Sequence, residues 1–244
     1  MKRILGIIPS RFSSTRFPGK PLIDLNGKTM IQRVYEGVKK SKYISKLIVA
    51  TDDERIFNEV INFGGIAEMT SSTHQSGTDR CAEVLNRNND FDLVINIQGD
   101  EPLVNHRQID LLIESFLDSE FEIATLATQN IIEDDIHNHN RVKIVIDQSN
   151  NALYFSRSVI PNFKSFCGNP FDEFPFLKHI GLYAYRSDIL KELTILKPTI
   201  IENIESLEQL RWLYYGYKIR IVKTTIETPS IDVPEDIKKI LKYL

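Results

Sequence analysis

Of 244 residues only two are cysteines, Cys81 and Cys167, with no CxxC pair and no zinc-type spacing. A disulfide framework and a structural zinc site are therefore excluded as organising devices, and two reduced thiols are expected. Nowhere do about 18 apolar residues run together, so no membrane-spanning helix or membrane insertion is expected. The opening "MKRILGIIPSR" starts with Lys2 and Arg3, but its apolar stretch is too short for a secretory signal. An excess of positive charge is missing too. Thirty Lys and Arg against 33 Asp and Glu give a formal net charge of −3, which argues against a nucleic-acid partner. No repeat, linker or low-complexity tract divides the chain. A single cytoplasmic domain spanning 1–244 is the expectation.

What is present suits a full core, with 42% hydrophobic and 26% charged residues. Short apolar runs at 3–8, 46–51, 66–69 and 92–97 read as buried strands. Between them, 29–40, 53–62 and 78–86 repeat apolar residues at helical spacing, as Met30, Val34 and Val38 do. This alternation predicts an α/β fold with a mostly parallel central sheet flanked by helices, of Rossmann-like type. In such sheets ligands bind beyond the carboxyl ends of the strands, so the loops after Ile8, Thr51, Met69 and Ile97 should share one rim. The second half is less regular. A hairpin is expected from 142–147 and 152–156 around "QSNN", then an irregular stretch at 161–176. A strand at 178–186, helices at 187–195 and 203–215, a strand at 218–222 and a helix at 235–243 follow. Residues of about 140–190 form an irregular second-half insertion.

Several segments carry chemistry, each with a plainer reading beside it. "IIPSRFSSTRFPGKPL", residues 7–22, places Arg11, Arg16 and Lys20 in a loop of small residues that leaves a buried strand. Forked and point-charge donors beside Gly19 suit phosphate oxygens, although no GxxxxGK[ST] is present; a solvated loop is the alternative. "VINIQGDEPLV" delivers Asp100 and Glu101 to the same rim. A magnesium ion shared with phosphate needs one or two carboxylates there, whereas a turn leading into a helix at 105–116 needs none. In "TPSIDVPEDI", Asp232 and Glu235 have capping-box spacing, which leaves a metal role for Asp232 open. "THQSGTDRCAEV" sets His74, Ser76, Gly77 and Thr78 before a helix, where hydroxyls and free N–H groups serve an anion or a cap equally. "KHIGLYAYR" puts His179, Gly181, Tyr183 and Tyr185 on one strand face, to meet a polyhydroxylated ligand or to form a buried polar layer. In helix 203–215, Ile204, Leu207 and Leu210 form a core stripe, and Glu208 and Arg211 an ion pair. Arg157, after a strand, suits a carboxylate or another chain element.

The order of these segments is more specific than any one of them. Together with "LYFSRSVIP" and "ESLEQLRWLYYG", they make the chain resemble the CMP-Kdo synthetases (3-deoxy-manno-octulosonate cytidylyltransferases) from residue 4 to residue 243. The resemblance implies transfer of CMP from CTP to the anomeric hydroxyl of an acidic eight-carbon sugar, with release of pyrophosphate, for lipopolysaccharide synthesis. It implies that Pro9, Arg11, Arg16 and Lys20 hold the nucleotide, with His74, Ser76, Gly77 and Asp79 around the cytidine or its phosphates. Lys20, Arg11 and Asp100 would be catalytic, and Asp100 and Asp232 would bind Mg²⁺. Gln98, Arg157, His179, Tyr183, Glu208 and Gln209 would line the sugar site. A nucleotide-diphospho-sugar transferase-like fold and a homodimer, built partly from the second half, are implied as well. The final motif departs from the family's usual "GVDTPEDL" at Ser230, Ile231 and Val233, and 161–176 matches no family pattern. Activation of a modified Kdo or of sialic acid is the neighbouring alternative. A glycosyltransferase would release no pyrophosphate, and a nucleotide sensor would not turn over.

Overall fold

The computed structural model describes residues 2–13, 17–117, 119–229, 231 and 233–244. Arg16 and Asp232, expected ligands of phosphate and metal, lie outside the described residues. The first half is built as its periodicity dictates. β1 (Ile4–Ser10), β2 (Lys46–Thr51), β3 (Ala67–Met69) and β4 (Leu93–Asn96) alternate with α1 (Met30–Val38), α2 (Glu54–Asn62) and α3 (Gly77–Arg87). After β4 come α4 (His106–Glu114), β5 (Ile123–Thr128) and α5 (Glu133–His137). The hairpin β6 (Lys143–Ile146) and β7 (Ala152–Ser156) leads to the short α6 (Pro170–Glu173) and the long β8 (Leu177–Arg186). The chain ends with α7 (Ser187–Ile195), α8 (Ile200–Glu205), α9 (Gln209–Tyr214), β9 (Ile219–Thr224) and α10 (Ile237–Ile240).

Among the described residues the strands form one sheet in the order β3-β2-β1-β4-β8-β5-β9, with the β6-β7 hairpin joined to β8. β1 pairs parallel with β2 and β4, β2 with β3, and β5 with β9, while β8 runs against β4 and β5. The sheet is thus mostly parallel, with one reversed strand in its middle. Side chains alternate strictly across it. Ile4 and Ile8 of β1, Leu47 and Val49 of β2, and Leu93 and Ile95 of β4 enter a core with α1, α2 and α4. Leu5 and Ile7, Ile48 and Ala50, and Val94 enter a second core with α3, α7 and α9. Two covered faces explain why these strands are apolar at nearly every position.

Three features differ from the sequence expectation. β5, "IATLAT", escaped it because its six buried residues include Thr125 and Thr128, which break the continuous apolar run that marks the other buried strands. The helix expected at 203–215 is two helices. Ser206 adopts a left-handed conformation at φ 52°, so α8 and α9 diverge. Leu207 and Leu210 stay buried, but Ile204 turns out to 78% exposure instead of joining the core stripe. The unpatterned stretch 161–176 contains α6, capped by the Asn169 side chain. Phe163, Phe171, Phe174 and Phe176 hold it together, with ring centroids 4.9–6.3 Å apart.

Candidate active site

The strand ends converge on one large cleft of about 1440 Å³. One wall comes from the β1 end and the α3 start. Pro9, Ser10 and Arg11 leave β1, and Ser76, Gly77 and Thr78 open α3. Ser76 caps this helix through its Oγ and receives Asp79 in return, closing a capping box. Asp79 is therefore committed to the helix start and does not line the cleft. His74 is not on the wall either: its Nε2 meets the Glu83 carboxylate. Burial pushes Glu83 up, but the Ser71 amide and His74 outweigh it and hold the acid below its ordinary value. Among these residues Arg11 is exposed, and its Nη2 reaches the Gln75 carbonyl at 3.4 Å.

Lys20 is not the solvated loop lysine that its neighbours suggest. The amide of Gly19, at φ 72°, donates to the Phe12 carbonyl at 3.0 Å and turns the chain into a short 3₁₀ helix beginning at Lys20. The lysine is 9% exposed, and its Nζ donates to Asp100 Oδ2 at 2.8 Å. Gly99 lets the turn before Asp100 pass close to the end of β1, since a Cβ there would stand 3.0 Å from the Pro9 carbonyl oxygen. The Ile231 amide donates to the Asp100 carbonyl at 3.1 Å, tying the chain beside Asp232 to the same corner. Among the described residues no three His, Cys, Asp or Glu side chains cluster as a closed metal site. Asp100, partly open and facing a cationic loop, instead fits a hard cation that takes its other ligands from phosphate and water.

The opposite wall is built from β8, β6, β7 and α9. Gln98, at the end of β4, donates through Nε2 to the Gly181 carbonyl at 2.9 Å. His179, Tyr183 and Tyr185 line the cleft and also pack together. Tyr183 stacks on Tyr185 at 5.8 Å, and Trp212 meets both rings edge-on. One face thus both lines the cleft and packs as a buried layer. Thr125 Oγ1 lies 2.8 Å from the Leu182 carbonyl and 3.0 Å from His179 Nε2. A hydroxyl has one proton, so Thr125 donates to the carbonyl and accepts from Nε2–H. Nδ1 is left as an acceptor. Burial drives the imidazole down to about 3, so it is neutral at any ordinary pH.

Glu208 makes no ion pair with Arg211, contrary to the helical spacing. Both lie in the first turn of α9, but each side chain is taken by another partner. Arg211 binds Glu202, with Nε 2.8 Å from Oε2, while Glu208 Oε2 accepts from Thr78 Oγ1 at 2.8 Å. Burial raises the Glu208 carboxyl above its ordinary value, only partly countered by Thr78 and Ser76. Arg157 has its guanidinium on the carbonyls of Glu205, His139 and Ser206 at 2.9, 3.1 and 3.3 Å. It is anchored by chain elements while lining the cleft.

The structure thus brings Pro9, Arg11, Lys20, Ser76, Gly77, Gln98, Asp100, Arg157, His179, Tyr183, Glu208 and Gln209 to one cleft. It leaves His74 and Asp79 behind the wall. Ser10, Asn96 and Trp212 on this wall escaped the sequence reading, whereas Gln209 is one of the expected sugar ligands. Ser10 Oγ, Asn96 Oδ1, Gln209 Nε2 and Trp212 Nε1 are buried without a hydrogen-bond partner among the described residues, and all four residues line the cleft. Native proteins rarely leave such groups unpaired away from a binding site. Asn96 was the one readable signal, a polar residue inside the apolar run "VINI".

The cytidylyltransferase family profile matches residues 5–221. The 3-deoxy-manno-octulosonate cytidylyltransferase of Parabacteroides distasonis is 49% identical, covering 100% of this chain and 99% of its own length. The enzyme of the same name from Fusobacterium nucleatum is 48% identical, with 99% and 97% covered. This chain belongs to the 3-deoxy-manno-octulosonate cytidylyltransferase family. A solved CMP:2-keto-3-deoxy-manno-octonic acid synthetase complexed with CTP superimposes with a TM-score of 0.91 at 39% identity, over 99% of this chain and 98% of that one. A cytidylyltransferase from Leptospira borgpetersenii, 17% identical with a TM-score of 0.64, shares the fold. Membership in the family makes the chain a nucleotidyltransferase. Among its described residues no helix is long and apolar enough to cross a membrane.

Proposed function

We propose that this enzyme transfers CMP from CTP to the anomeric hydroxyl of 3-deoxy-manno-octulosonate (Kdo). The observation that carries the reading is one cleft with two chemically distinct walls. Arg11, Lys20 and the α3 start supply donors for a triphosphate, and Gln98, His179, Glu208 and Gln209 supply polar groups for an acidic, polyhydroxylated sugar. The anomeric oxygen attacks the α-phosphorus, the bond to the bridging oxygen breaks, and pyrophosphate leaves with the electron pair. Both substrates are anions, so catalysis rests on bringing them together and on stabilising charge at the phosphorus. Lys20, freed from Asp100, and Arg11 face that charge. The neutral His179 accepts a hydrogen bond from a sugar hydroxyl at Nδ1, and the Glu208 carboxyl, held by Thr78, faces the same hydroxyls. Asp100 and Asp232 would hold Mg²⁺, which when bound neutralises phosphate charge and acidifies the attacking hydroxyl.

We read the enzyme as a cytoplasmic homodimer supplying lipopolysaccharide synthesis. Ile195, Ile200, Ile204 and Tyr214, 70–82% exposed in the second half, support an interface there, and light scattering tests it. The deciding assay is pyrophosphate release from CTP and Mg²⁺ with Kdo, with sialic acid, or with no sugar. Release with Kdo alone is expected. Release with sialic acid in preference, or with neither sugar, overturns the reading.

A further inference from the structure

Lys143 opens β6 and is wholly buried, at 0% exposure. It forms no ion pair among the described residues. A buried ammonium survives only when its donors are satisfied. Here Nζ donates to three main-chain carbonyls: Asn138 at 3.0 Å, Arg141 at 2.6 Å and Arg157 at 2.6 Å. Burial lowers its pKa, and the Glu205 carboxylate partly offsets this. An apolar residue of similar volume would fill the space but take this donor from the Arg141 and Arg157 carbonyls, while Asn138 would keep the Arg141 amide, so packing alone does not call for lysine.

The three carbonyls join two separate pieces of the cleft wall. Asn138 and Arg141 bracket the loop after α5, and Arg157 follows β7. His139, Asn140, Arg141 and Arg157 all line the cleft. The Arg157 side chain closes the same ring from the other side by donating to the His139 carbonyl at 3.1 Å. We propose that Lys143 is a positioning residue for the sugar half of the site, a buried cross-link that fixes loop 138–141 against Arg157 and so sets where the Arg157 guanidinium stands. This inference rests on the reading of that wall as the sugar side. The nucleotide wall stands on β1 and α3, which the ammonium does not touch.

The test is steady-state kinetics of the full-length enzyme with CTP, Mg²⁺ and Kdo. Wild-type turnover comes first, because its absence refutes the substrate reading and not the role of Lys143. In Lys143→Met, KM for Kdo should rise roughly tenfold to hundredfold, the scale of a small misplacement of a binding group, while KM for CTP stays within about twofold. Lys143→Gln keeps two donors on a shorter chain and should show a smaller rise in the same constant. A wild-type KM for Kdo in whichever variant folds overturns the proposal. So does an equal rise in both KM values, or failure of both variants to fold, since each marks a purely structural lysine.

Discussion

His179 gives the sharpest physical prediction. Its imidazole lies against Phe155 and Tyr183, with ring centroids 5.3 Å away in each case, and burial takes it from 6.5 to about 3. Between those two values the unfolded chain holds a proton that the folded chain refuses. The stability attached to the neutral ring is therefore complete above pH 6.5 and is lost as the pH falls toward 3. At pH 5, about 1.5 units below the ordinary value, the loss is at most about 2 kcal/mol, at 1.36 kcal/mol per unit. For a chain of this size that corresponds to roughly 4–8 °C in Tm. The comparator is His179→Gln, which keeps an N–H donor for Thr125 and does not titrate. Urea denaturation of both proteins at pH 7.5 and pH 5.0 isolates the residue, because every other titrating group is common to the pair. Wild type should lose up to about 2 kcal/mol more than the variant between the two conditions. Equal losses would mean that the ring charges freely inside its pocket, and the account of a neutral acceptor at the cleft would fall with them.

Three further outcomes follow from the same geometry. Lys20→Met should cost about 1–3 kcal/mol of stability, between the values for exposed and buried pairs, and lower turnover by roughly 10²–10³; near-normal pyrophosphate release would remove Lys20 from the reaction. Asp100→Asn should shift the Mg²⁺ dependence of turnover to higher concentration at similar thermal stability, and an unchanged metal titration would exclude Asp100 as a ligand. Glu208, whose carboxyl is raised in the fold, binds a proton more tightly folded than unfolded, so wild-type stability should fall as the pH rises from 4.5 through the raised value. Glu208→Gln should lack that decline, and parallel pH–stability curves for the two proteins would refute the assignment.

Much of the scaffold was legible because period and burial agree. In β1, β2 and β4 every second residue enters one core and the others enter the second, which leaves strand-length apolar runs bounded by turn chemistry. The same rule fails where buried polar residues interrupt the apolar run, as Thr125 and Thr128 do in β5, or where one backbone torsion intervenes, as at Ser206. β8 shows a third limit. Its alternation places His179, Tyr183 and Tyr185 correctly on one face, yet its pairing with β5 jumps between Thr125 and Leu126, where Tyr183 and Ile180 are successive partners. The slip of two residues preserves the faces while bringing Thr125 beneath His179. No local pattern encodes that, because the partner strand lies more than fifty residues away. Lys20 and Asp100 are likewise 80 residues apart, and a loop lysine looks solvated until its partner is known.

The "HQSGTDR" segment shows why structural and functional readings of one motif need not compete. Ser76 and Asp79 are spent on closing the first turn of α3. That expenditure is what holds the following residues in place. Gly77 stands close enough to Pro9 that a Cβ would come within 3.5 Å of its ring, so the helix start abuts the β1 end and both face one cleft. Thr78, one residue further, is free of capping and carries the Glu208 carboxyl. The cap positions the helix start, and the threonine reaches across to the opposite wall. A motif of this kind is recognisable as a unit because its members are coupled through one helix start, even though only some of them touch the space where a ligand would lie.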